Sequence, residues 1–86
     1  MEMKRLERCR AIFHELAKRM ALNHSDIIIT MKKTGREYNI FQLRNNKIMV
    51  YTDRAMNENE ETIWKTQVGV FKDIWEVSKF IEQLTN

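Results

Sequence analysis

The stretch from Met3 to Leu22 constrains this chain most. Met3, Leu6, Cys9, Phe13, Leu16, Ala17 and Met20 recur at steps of three and four residues, the spacing of one face of an α-helix. No Gly or Pro interrupts the run, and Leu, Ala, Met, Glu, Lys and Arg dominate it, all good helix formers. Ala21 and Leu22 extend the apolar face, and Asn23, His24 and Ser25 mark its end, since Asn tolerates the left-handed conformation that closes helices. The outer side carries Lys4, Arg5, Arg8, Glu15, Lys18 and Arg19. Two readings fit it. One is a solvated face with Glu2, Glu7 and Glu15 interspersed as partners one turn away. The other is a cationic stripe for phosphates.

After this helix the hydrophobic period changes from three or four to two. Asp26 to Lys33 contains a triple Ile, a β-branched run that reads as a strand. Thr34-Gly35-Arg36 signals a turn. Tyr38 to Arg44 reads as a second strand and Lys47 to Thr52 as a third. Between them Asn45-Asn46 fits a two-residue type I′ hairpin, which needs positive φ twice. Asp53 to Glu61 reads as a polar, exposed connection. Thr62 to Val70 is a fourth strand in which Gly69 suggests a bulge or bend. The last helix begins near Asp73, with Glu76 three residues on in a capping-box-like spacing. Ile74, Val77, Phe80, Ile81 and Leu84 form its buried stripe. The expectation is therefore one α+β domain over residues 1–86, in the order α-β-β-β-β-α, with an antiparallel meander sheet packed with N- and C-terminal helices.

Alternating residues of a strand point to opposite faces of the sheet. On that rule Ile27, Ile29, Met31, Phe41, Leu43, Ile48, Val50, Trp64, Val68 and Val70 share a core face. Ile28, Thr30, Lys32, Tyr38, Ile40, Gln42, Arg44, Met49, Tyr51, Ile63, Lys65 and Gln67 share the other. A solvated face would read cleanly polar, and this one is half apolar. Three arrangements account for it. One helix covers each face; or both helices cover the core face and the second is a homodimer or partner interface; or the second is a nucleic-acid platform. In the last, Tyr38 and Tyr51 stack bases while Lys32, Arg44 and Lys65 neutralise phosphates.

Composition limits the function classes. With 86 residues the chain makes a single domain with a thin core. A formal charge of +3 and a pI near 9.2 permit a nucleic-acid partner without demanding one. The single Cys cannot form an internal disulfide and points to a reducing compartment. No apolar run approaches the roughly 20 residues that span a bilayer, and no secretory leader pattern opens the chain, so a cytoplasmic location is expected.

No catalytic constellation emerges. Cys9 reads as a small buried residue, because His14 lies on another face of the helix and supplies no base. Cys9, His14 and His24 do not match zinc spacing, and no metal is expected. Glu58, Glu60 and Glu61 lack the Asp-rich, Gly-containing pattern of a calcium loop. With Gly35 and Gly69 the only glycines, there is no phosphate-binding glycine loop, and no cofactor is implied.

In element order, helix–three strands–helix resembles the double-stranded-RNA-binding domain, and four strands before a helix are similar to small single-strand DNA-binding folds. The first resemblance implies a Lys-rich start to the last helix. Here that position reads Phe71-Lys72-Asp73-Ile74-Trp75-Glu76, with only Lys72 basic, and element order does not carry function by itself.

The sequence thus points to a small non-catalytic regulatory or adaptor protein. It would bind a protein partner or a second copy through Tyr38, Ile40, Met49, Tyr51 and Ile63, with the Asn57–Glu61 loop as a further contact. The alternative is nucleic-acid binding through Arg5, Arg8, Lys18, Arg19, Lys32, Arg44 and Lys65.

Overall fold

The computed structural model describes residues 2–23 and 26–85. It contains α1 (Met3–Asn23), β1 (Asp26–Thr30), β2 (Glu37–Gln42), β3 (Ile48–Met56), β4 (Thr62–Phe71) and α2 (Ile74–Leu84). The strands pair antiparallel in the spatial order β1-β2-β3-β4. This is the α+β order and meander that the sequence predicts. Of the residues expected to end the first helix, His24 and Ser25 lie outside the described residues. The cap of α2 is as expected: the Glu76 N–H donates to Asp73 Oδ1 at 3.0 Å, satisfying one of the helix's orphan donors.

The β2–β3 connection is one residue longer than the predicted type I′ hairpin. The Asn46 N–H donates to the Leu43 carbonyl at 3.0 Å, and the Leu43 N–H donates to the Lys47 carbonyl at 2.8 Å. Only Asn46 of the pair has positive φ, at 67°. This is the loop of three residues in which a turn is followed by one left-handed residue. It pairs Gln42 with Ile48, Ile40 with Val50 and Tyr38 with Thr52. A two-residue loop would have set Phe41 opposite Val50. A slip of one residue moves every side chain of a strand to the other face, so the predicted faces of β2 are exchanged.

The expected polar connection from Asp53 is also corrected. β3 runs on to Met56 through Asp53, whose φ is 61°. It pairs with β2 only as far as Thr52, then continues against β4 to Met56↔Thr62. The result is a two-stranded extension on a molecule 47 × 30 × 21 Å across. Its tip repeats the first turn. The Glu60 N–H donates to the Asn57 carbonyl at 3.1 Å, the Asn57 N–H donates to the Glu61 carbonyl at 3.0 Å, and Glu60 has φ 62°. Asn57 Oδ1 accepts from the Asn59 and Glu61 N–H groups at 2.9 and 3.0 Å. Glycine takes this conformation without the crowding a Cβ brings. Glu60→Gly is expected to raise stability by about 0.5 kcal/mol net, after the greater freedom of the unfolded chain is subtracted. A higher urea midpoint at unchanged slope would show it.

Both helices lie on one face of the sheet. The buried cluster joins Ile27, Met31, Tyr38, Ile40, Ile48 and Val50 to Leu16 of α1 and to Val77 and Ile81 of α2. The Phe80 ring meets Tyr38 at 6.4 Å and Phe71 at 5.3 Å between centroids. Tyr38 and Ile40 are therefore core residues, at 6% and 0% exposure, which corrects their expected place on an interaction face. Val70 moves the opposite way. β4 carries one extra residue, Val68, where Val50 faces Gly69 and Tyr51 faces Gln67. Such a bulge reverses the alternation beyond it, so Val70 turns out beside Met49.

The helices are also joined to each other. Cys9, Ser78 and Glu82 are all fully buried, and Phe13 packs edge-on against Trp75 at 6.0 Å. Arg5 Nε donates to Glu82 Oε2 at 3.2 Å, and Arg8 donates to Glu82 Oε1 through Nε at 3.2 Å and Nη2 at 3.0 Å.

Candidate interaction site

With both helices on one side, the other face of the sheet has no covering layer among the described residues. Across it the register sets Ile28 beside Asn39 and Asn39 beside Tyr51. In the neighbouring row Asp26, Phe41, Met49 and Val70 follow one another. On the hairpin extension Ala55 and Ile63 are paired. Ile28, Ile63 and Val70 remain 36%, 37% and 46% exposed, too open for side chains under a packed layer.

The centre of this face is built rather than incidental. The Phe41 and Tyr51 rings are diagonal neighbours, stacked with centroids 5.9 Å apart and planes parallel to within 3°. Asn39 beside them is 5% exposed. Its Nδ2 donates to Asp26 Oδ2 at 3.0 Å and to the Ile27 carbonyl at 3.5 Å, which ties a polar group down under an apolar rim. A buried amide needs such partners.

Of the five residues expected on an interaction face, Met49, Tyr51 and Ile63 lie here, while Tyr38 and Ile40 lie in the core. The sequence reading missed Phe41 and Val70. The signals were the length of the Asn45-Asn46 turn and Gly69 beside the bulge, and neither fixes a register until the strands are paired.

The seven basic residues do not converge. Arg5 and Arg8 hold Glu82. Arg19 Nη2 donates to the Ile28 carbonyl at 2.7 Å. Lys32 sits in the β1–β2 turn and Arg44 in the β2–β3 turn, at opposite ends of the sheet. Lys18 is exposed on α1. Lys65 alone of the seven belongs to the open face, which also carries Asp26 and Glu37. Arg54 Nη1 pairs with Glu37 Oε2 at 3.0 Å.

Among the described residues no group of His, Cys, Asp and Glu could hold a metal ion. His24, considered with Cys9 and His14, lies outside them. Cys9 is buried and takes part in no disulfide, and no described helix is long and apolar enough to cross a membrane. The chain matches no known protein family, no curated protein and no solved structure.

Proposed function

We propose that this is a non-catalytic binding protein, of regulatory or adaptor type, whose working surface is the open face of its sheet. A second copy is the partner the face suits best. One observation carries this reading: both helices cover the same side, and no other described residues form a layer above Ile28, Phe41, Met49, Tyr51, Ile63 and Val70. The strands run roughly 17, 20, 30 and 33 Å and lie about 4.8 Å apart, a flat footprint of about 480 Å². Side-chain relief brings that toward the roughly 800 Å² per partner of a standard interface. Two such faces stack about 10 Å apart, as in a β-sandwich.

Sedimentation across about 1 to about 100 µM protein tests it, because association follows mass action. The expected result is a mass that rises toward twice the monomer. Ile63→Lys should weaken the association by at least about tenfold, or about 1.4 kcal/mol. Because Ile63 is exposed, the monomer's own melt should shift by less than about 0.5 kcal/mol. A monomer at every concentration would remove self-pairing and leave a different protein as the occupant.

A second reading is nucleic-acid binding, which rests on the net charge of +3 and pI of 9.2. Anisotropy of labelled single- and double-stranded DNA and RNA at two salt concentrations addresses it. Affinity through phosphates falls linearly in log–log form as salt rises.

A further inference from the structure

β1 lies at the edge of the sheet, and the hydrogen bonds show which way its peptide groups face. The Met31 N–H donates to the Arg36 carbonyl at 2.9 Å, and the Met31 carbonyl accepts from the Gly35 N–H at 2.7 Å. The groups of Met31 therefore point toward β2. Along an antiparallel strand the direction alternates, so those of Thr30 and Ile28 point to the outer edge. Arg19 confirms it by donating to the Ile28 carbonyl from outside the ladder. An edge strand left open invites another chain to pair with it, and here a guanidinium shields part of it.

Beside that edge, between α1 and β1, runs a groove of about 680 Å³. Ala11, Ile12 and Leu16 form its α1 wall, Ile29 and Met31 its sheet wall, and Ile81 its floor. Among the described residues that line it, Arg19, Lys32 and Lys33 stand against a single carboxylate, Glu15. Lys32 and Lys33 are exposed side by side in the turn that follows β1.

We propose that this edge and groove receive an extended peptide carrying acidic residues and an apolar anchor, added to the sheet as a further strand beside β1. Strand addition takes its affinity from main-chain bonds and its selectivity from pockets for alternate side chains. Thr30 and Ile28 supply the bonds, and the apolar groove takes the side chain that points toward the helices. Lys32, Lys33 and Arg19 select acids on the incoming strand. Arg19 turns from the Ile28 carbonyl to a peptide carboxylate, exchanging a bond to a neutral acceptor for a stronger charge-assisted pair. A neutral or basic strand offers the guanidinium no such pair, so an acidic strand is favoured at this edge. This surface adjoins the open face at Ile28, of which it uses only the main chain, and does not depend on that face's role.

The test uses pools of short labelled peptides alternating Asp or Glu with Val, Ile, Leu or Phe. One control pool carries Lys at the acidic positions, and another carries Pro at the apolar ones. The acidic pool is expected to bind and both controls to fail. Its amide chemical-shift changes should fall on residues 26–33 and on the α1 residues from Ala11 to Arg19. Ala11→Glu, and Lys32→Glu with Lys33→Glu, should each weaken binding about tenfold or more. All three positions are exposed, so these variants should melt as the parent does. Ile63→Lys should leave binding unchanged, which separates this result from the fate of the open-face reading. An acidic pool that binds no better than the lysine or proline pool would overturn the proposal. So would shift changes centred on Tyr51 and Val70 in place of Thr30 and Ala11.

Discussion

Replacing Arg5 and Arg8 together by alanine is expected to cost about 3–5 kcal/mol of folding stability, the range for breaking a buried ion pair from one side. Glu82 is fully buried on α2 with both carboxylate oxygens held by these guanidinia across the helix interface. Removing the guanidinia takes away both arginine partners of a carboxylate that is fully buried in the folded protein. The same pair cut from the other side behaves differently. The arginine side chains are 37% and 45% exposed, so after Glu82→Leu they can turn outward and be solvated. A leucine there offers apolar bulk to the helix interface, and a buried ion pair replaced by a hydrophobic group is often near neutral. Glu82→Leu should therefore change stability by less than about 1.5 kcal/mol. Each single Arg→Ala change should fall between these limits, because the remaining guanidinium still faces the carboxylate. A chain of this size has about 5–10 kcal/mol in all, so the double variant should melt at least about 12 °C lower. Urea titrations of the four variants measure the asymmetry. A double variant that loses under about 1 kcal/mol, or a Glu82→Leu that loses more than the double, would show that the lock is not carried by these three residues.

How much of this was legible in the sequence follows from the range of each interaction. The helices and their order come from local signals. The stripe through Leu6, Cys9, Phe13 and Leu16, the Asp73 cap with Glu76, and the β-branched run at Ile27–Ile29 each act within a turn or a pleat, and all fall where expected. The faces of the sheet were legible only in part. The stretch from Tyr38 to Leu43 is apolar in both parities, with Tyr38 and Ile40 in one and Phe41 and Leu43 in the other, so its pattern does not choose a side. The choice is made by one residue in the turn at Asn46, and by Val68 in the bulge for β4. Asp53 hides the length of β3 because an acidic residue at positive φ reads as the start of a loop. The Glu82 lock was not legible at all. Its partners are 77 and 74 residues away in the chain, and no periodicity spans that distance. Nor does any local signal state that both helices take the same side, and that is the fact which makes the open face a candidate site.

The register of β2 can be tested by energetics alone. Ile40→Ala is expected to cost about 2–5 kcal/mol, the range for emptying a fully buried aliphatic site. Ile40 is 0% exposed and stands between Ile27 and Val50 under both helices, so neighbours on three sides are held by strand pairing or helix packing and cannot close the space. The loss should be the same at every protein concentration. Met49→Ala is the matched control. Met49 stands next to Phe41 and Val70 on the open face, where water or a partner fills whatever is removed. It should cost the monomer less than about 1 kcal/mol and should lower self-association instead. Had the Asn45-Asn46 turn closed with two residues, Ile40 would share the open face with Met49, and both variants would behave as Met49→Ala does. A thermal melt at two concentrations separates the cases. A large, concentration-independent loss at Ile40 places it in the core. A small loss that grows on dilution would mean that β2 presents Ile40 and Tyr38 outward, and that the interaction surface is made of different residues from those proposed.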